Sequence, residues 1–141
     1  MRVANRFAIA VHILSLIEMR GEVDATSEWM ASSIGVNAVV VRNVTGMLRK
    51  AGLVVTRQGV PGAEATRPLA DISLLEVFRA VEEDAEIFPI HSRPNPDCPV
   101  GANIQGALEG IFTDAQRAME ERLASVSMAQ VVREISLACT V

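Results

Sequence analysis

The chain has 141 residues, of which 50% are hydrophobic, 21% charged and 4% aromatic, with 13 Lys or Arg against 17 Asp or Glu. This is enough apolar material for one compact core, and the acidic balance excludes a chain coated all over with positive charge. The longest apolar stretch, residues 7–17, is broken by His12 and Ser15 and falls short of the roughly 20 residues that span a hydrocarbon layer, so no membrane segment is expected.

The start, Met1-Arg2-Val3-Ala4-Asn5-Arg6, resembles a charged leader, but no small-residue cleavage site precedes the charged Glu18-Met19-Arg20. Only Cys98 and Cys139 are present, too few for a disulfide-framed secreted domain, and a reducing cytoplasm is the expected location. Charge is unevenly spread. Residues 1–69 carry eight basic and five acidic side chains and residues 70–141 carry five and twelve, so only the first half is suited to a polyanion.

Residues 5–19 contain no Gly or Pro and read as a helix, with Phe7, Ala10, Val11, Leu14 and Ile17 on one face and Ile9, Ile13 and Leu16 on its flank. A helix this apolar needs cover on a second side, from another subunit or an appended helix, and Ile9 and Ile13 are expected at a dimer interface. Thr26 or Ser27 can cap a short helix ending near Ile34, with Trp29, Met30 and Ile34 inward. Gly35 supplies a turn, Val36 plugs the core, and Asn37 caps a third helix over residues 38–51. Val41, Val44 and Leu48 of this helix repeat at three- and four-residue intervals, which leaves Val39, Arg42, Asn43 and Gly46 outward.

Residues 53–58 have the β-branched content of a strand, residues 59–63 read as a turn, and residues 64–68 as a returning strand. Helix-turn-helix plus hairpin is a winged helix. Ser73 and Glu76 then fit a capping box with Ile72 stapled on Val77, for a helix reaching about Val81. Pro89, Pro94, Pro96 and Pro99 mark an irregular linker. A long helix over residues 103–124 carries Ile104, Leu108, Ile111, Phe112, Ala115, Met119 and Leu123 in one stripe that needs a partner, and these seven are further expected dimer contacts. Ser127 and Gln130 form a second capping box, for a last helix with Met128, Val131, Val132 and Ile135.

Base-specific binding requires a short helix whose outward side chains reach base edges, flanked by groups that hold phosphates. Asn37, Val39, Val40, Arg42 and Asn43 occupy such a helix: Arg42 suits guanine, Asn43 adenine, and a valine a thymine methyl. Arg49, Lys50, Arg57, Gln58 and Arg67 are candidate phosphate or minor-groove contacts, and Ser27 a phosphate contact at a helix start. His12 and His91 lack partners at metal-ligand spacing, and neither a Ser-His-Asp grouping nor a phosphate-cradling glycine loop points to an enzyme.

Val36-Asn37-Ala38-Val39-Val40-Val41-Arg42-Asn43, followed by Leu48-Arg49-Lys50-Ala51-Gly52-Leu53-Val54, resembles the Rrf-two-type winged-helix transcription regulators, the group that includes IscR, NsrR and CymR. Ile72-Ser73-Leu74-Leu75-Glu76-Val77-Phe78-Arg79-Ala80-Val81-Glu82 and Asn95-Pro96-Asp97-Cys98-Pro99-Val100-Gly101-Ala102-Asn103-Ile104 are similar to the same group, so the likeness covers about residues 5 to 135. The resemblance implies a homodimer crossed at the long helix, with two third helices reading a palindromic operator in double-stranded DNA and the wings in neighbouring minor grooves.

Two features depart from the family. Gly62-Ala63-Glu64-Ala65-Thr66-Arg67 replaces a glycine-rich wing, and Glu64 would be repelled by phosphate. Relatives that bind an iron–sulfur cluster use three linker cysteines, whereas this chain has Cys98 alone there and Cys139 far away, so no cofactor is expected. Cys98 is either a small buried hydrophobe or a thiol switch, favoured by a helix start and opposed by Asp97.

The resulting expectation is a mainly α fold with a small β-wing: a winged helix-turn-helix domain (residues 1–82), a linker and sensor segment (83–99), and a dimerisation helix with a C-terminal helix (100–141). The expected function is a homodimeric DNA-binding repressor answering an oxidant through Cys98. The alternatives are a regulator sensing a small molecule without a thiol switch and a protein-interaction module that does not bind DNA.

Overall fold

A computed structural model of the chain describes residues 5–82 and 86–139; Glu83 and Asp84, at the start of the expected linker, lie outside them, as do residues 1–4. The order of elements is α1 (Arg6–Met19), α2 (Ser27–Ile34), α3 (Ala38–Lys50), β1 (Val54–Arg57), β2 (Val60–Ala65), a 3-10 turn (Leu69–Asp71), α4 (Leu74–Val81), α5 (Pro99–Ala124) and α6 (Met128–Cys139). The fold is mostly helical with one two-stranded antiparallel sheet, as the sequence pattern predicts.

α1 is the spine of the core. Ala10, Ile13 and Leu14 are inaccessible to solvent, and α2, α3, α4 and α6 all pack on the helix. Phe7 meets Phe78 of α4 edge-on, with ring centroids 5.4 Å apart. The second cover expected for this helix is therefore α6 of the same chain. Ile9 and Ile13, expected at a dimer interface, are only 5% and 0% exposed within the single chain, and that assignment is corrected.

α2 starts where Thr26 accepts the Trp29 N–H, so Thr26 is the cap and Ser27 the first helical residue. It stops at Gly35, whose φ of 80° is left-handed and lets the Gly35 N–H return to Ala31 O. Asn37 Oδ1 then accepts the Val39 N–H at 2.8 Å and opens α3. Val41, Val44 and Leu48 are buried as their spacing requires.

The hairpin differs from its predicted register. β2 begins at Val60, straight after a tight turn at Gln58 and Gly59, and pairs Val54 with Ala65 and Thr56 with Ala63 before a bulge at Thr56/Arg57. Pro61 and Gly62, read from sequence as turn residues, lie inside an edge strand, where proline's missing donor costs no ladder bond. Gly62 is needed for another reason. Its φ is +89°, and a Cβ there would stand 2.7 Å from Ala25 N, because the hairpin presses on the loop before α2 and Ala63 N–H bonds Ala25 O.

Both expected capping boxes form. Ser73 and Glu76 close one at α4, and Ser127 and Gln130 close the other at α6. The two starts lie side by side, with Leu74 N–H on Val126 O at 2.9 Å and Met128 N–H on Ile72 O at 2.8 Å. Met128 is thereby fully buried in the core beside Ile72. α5, about 39 Å long at 1.5 Å per residue, has no buried side chain, and Val100 and Ile111 stand 67% and 63% exposed. No helix among the described residues is long and apolar enough to cross a membrane.

Candidate nucleic-acid interface

The outward face of α3 is polar and accessible beyond its buried stripe. Val39 is 51% exposed, Arg42, Asn43, Arg49 and Lys50 are exposed, and Val40 is half-buried against the core, a poorer apolar probe than Val39. Asn37 is exposed, but its Oδ1 is engaged as the α3 cap, so its amide group is what remains for a base or phosphate. Arg42 Nη1 donates to Glu28 Oε1 of α2 at 3.1 Å, and Arg49 Nη1 reaches Thr56 Oγ1 of β1 at 3.5 Å.

The wing is less acidic in effect than its sequence. Glu64 lies between Arg57 at 3.7 Å and Arg20 at 3.9 Å, so its repulsion of phosphate is largely neutralised. Arg57 and Gln58 at the tip remain exposed. Arg67 donates to Asp71 O at 3.0 Å and pairs with Glu76, which ties the exit of the hairpin to α4 while the side chain stays partly exposed. Sequence reasoning also passed over Glu28, Thr56 and Thr45. Thr45, next to the apolar stripe of α3, is buried with no hydrogen-bond partner for Oγ1, and a polar residue on that border was the available signal.

Of the stripe expected to pair with a second subunit, Ile111 and Ala115 are exposed and Ile104, Leu108, Phe112, Met119 and Leu123 half-exposed. Phe112 also stacks on Phe88 of the linker at 5.6 Å. His12, within α1, shares a 3.0 Å hydrogen bond with Ser33 Oγ.

Cys98 is exposed at the N-cap of α5. The backbone amides of Gly101 and then Val100 hold its pKa below the ordinary thiol value, although no regular cap bond closes; the opposition expected from Asp97 does not prevail. Gly101 is fixed by crowding, since a Cβ there would collide with Asn95 O, in the turn that accepts the Cys98 N–H.

An exposed third helix beside a hairpin, carried on a core shared with α1, α2, α4 and α6 and joined to a long uncovered helix, defines a winged-helix regulator. Residues 3–134 match the Rrf2 family, described as iron-dependent transcriptional regulators. A Bacillus subtilis (strain 168) protein provisionally named as the HTH-type transcriptional regulator YwnA is 49% identical over 131 residues, covering 93% of this chain and 97% of that one. A crystal structure provisionally described as that of a DNA-binding protein is 48% identical with a TM-score of 0.72, covering 89% of this chain and 97% of that one. T. potens IscR, at 20% identity and a TM-score of 0.73 over 100% of this chain and 93% of that one, shares the fold. The chain belongs to the Rrf2 family of winged-helix transcriptional regulators, whose members are regulators and not enzymes.

The iron dependence in the family's description meets an unsuitable donor set here. A cluster needs several thiolates, and the chain has two cysteines, one at the start of α5 and one in the last turn of α6. Among the described residues no three His, Cys, Asp or Glu side chains are grouped to hold a metal. The residues present do not fit an iron–sulfur group.

Proposed function

We propose that the protein is a homodimeric repressor that occupies a palindromic operator, each α3 lying in a major groove. The observation that carries this reading is the accessible α3 face of Val39, Arg42 and Asn43 beside a hairpin tipped by Arg57 and Gln58. Arg42 and Asn43 are the base readers. Ser27, Arg49, Lys50, Arg57 and Gln58 hold phosphates and set the helix in register. Two reading helices about 34–36 Å apart meet half-sites on one side of the duplex.

The unburied α5 stripe supports the dimer, because an apolar ridge of this length is stabilised by covering it with its own copy. Cys98 supports an oxidant signal. Its thiolate attacks a hydrogen peroxide oxygen, the O–O bond breaks, hydroxide leaves, and a sulfenic acid forms at the start of α5. A small-molecule signal has support of its own in an open, mostly polar cleft of about 630 Å³ between the linker and α5, where Phe88 and Phe112 stand among Glu109, Arg117 and Glu120.

Selection of bound genomic fragments, repeated with and without peroxide, tests the reading. A palindromic consensus lost on oxidation is expected, and fragments without any shared sequence would overturn operator binding.

A further inference from the structure

Another cleft, of about 400 Å³, lies between the last turn of α1, the 3-10 turn and α6. It takes no residue from α3, the hairpin or α5, so neither the DNA-binding face nor a dimer made through the α5 stripe draws on its walls. Its apolar side is Leu69, only 4% exposed, with the half-buried Ala129 and Val132 and the ring of Pro68. Two charged side chains complete it, Glu18 from α1 and Arg133 from α6. They form no ion pair with each other, and among the described residues neither pairs with any other side chain.

The end of α1 supplies an independent observation. Its last turn carries Glu18 and no basic residue, although the carbonyl end of a helix is already partly negative and favours a cation. Arg20, just past that end, is engaged elsewhere: it donates to Val23 O at 2.9 Å and lies 3.9 Å from Glu64. The corner at Glu18 is therefore suited to an ammonium group from outside the chain. On the α6 side, the planar guanidinium of Arg133 matches a carboxylate. An occupant that answers both charges carries an amine and an acid on an aliphatic body, and the cleft has the size of a small-ligand site.

We infer that this cleft binds a free α-amino acid with an aliphatic side chain, its ammonium on Glu18, its carboxylate on Arg133 and its side chain over Leu69 and Val132. The ligand bridges α1 to α6, the helix whose start is bonded to α4. This site is separate from the DNA-binding reading, and its test uses no DNA.

The full chain is titrated calorimetrically with L-leucine. Three analogues are run beside it: leucinamide, which lacks the carboxylate, N-acetyl-L-leucine, which lacks the ammonium, and glycine, which lacks the side chain. Saturable binding of one leucine per chain is expected, with each analogue weaker by about tenfold or more. Glu18→Gln should weaken leucine about tenfold and leave the residual binding of N-acetyl-L-leucine unchanged, because that analogue has no ammonium to lose. Arg133→Gln should weaken leucine likewise and leave leucinamide unchanged. Both side chains are exposed, so an unaltered Tm separates a lost contact from lost folding.

No saturable leucine binding overturns the inference. Leucine binding that neither substitution weakens also overturns it, because the ligand then sits elsewhere. Equal binding of leucine and its two blocked analogues removes the paired-charge recognition on which the site rests. Tighter binding of ε-aminocaproate than of leucine overturns the α-amino-acid assignment in favour of a longer zwitterion.

Discussion

Arg42 and Glu28 hold one another in the open, where an exposed ion pair contributes about 0–1 kcal/mol. Such a pair orients the guanidinium without locking it, and a bidentate contact to guanine can displace it. Arg42→Ala should weaken specific operator binding by about 1–3 kcal/mol and relax preference at one base, measured by fluorescence anisotropy across operator variants. Cys98 gives a second residue-scale prediction. Because its pKa is lowered by the Gly101 and Val100 amides, its thiolate persists in the folded chain to a lower pH than in the unfolded chain. In a Cys139→Ser background, alkylation of folded protein should therefore fall off at a lower pH than alkylation in denaturant; coincident profiles would remove the basis for a reactive thiol. Exposed positions were legible where spacing alone decides, as for Arg42 and Asn43. They were illegible where a distant partner decides, as for Arg67, which Glu76 captures, and Ile9, which the fold of the same chain buries.

Helices were easier to read than strands at the scale of elements, because period and caps are local. The two capping boxes appear in sequence as Ser73 with Glu76 and Ser127 with Gln130, and both form. The hairpin register was not legible: Pro61 and Gly62 signal a turn, and only the Ala25 backbone explains why they lie in a strand. Gly62→Ala should cost about 1–3 kcal/mol of stability, seen as a lower urea midpoint, since the new methyl meets backbone that has no rotamer to change. The capping boxes share two backbone hydrogen bonds, so Ser73→Ala and Ser127→Ala, each worth about 1 kcal/mol, should be non-additive in a double-mutant cycle. Simple additivity would show that the two helix starts act independently.

For the whole molecule, the decisive quantity is how much apolar surface the single chain leaves uncovered. α5 projects Ile111 and Val100 into solvent, so Ile111→Glu should convert the proposed dimer to monomers in sedimentation analysis while leaving the helical circular dichroism intact. A mutant that stays dimeric would move the interface off this stripe. The uneven charge along the chain also has a molecular consequence: log K for DNA should fall linearly with log salt, by about 0.9 for each phosphate neutralised. The sequence announced α5's need for a partner but not the fate of α6, whose short apolar pattern fits either an exposed arm or a core helix.

With α6 bonded to the start of α4 and packed on α1, the polypeptide stitches its tail into both its middle and its beginning. Cutting such a chain after α5 would not liberate a self-sufficient reading head. It would remove Met128 from the buried cluster that holds Ile13 and Ile72. By the same token, a displacement at the C-terminal end of the long helix is handed through Val126 and Met128 to Leu74 and Ile72, at the edge of the buried centre.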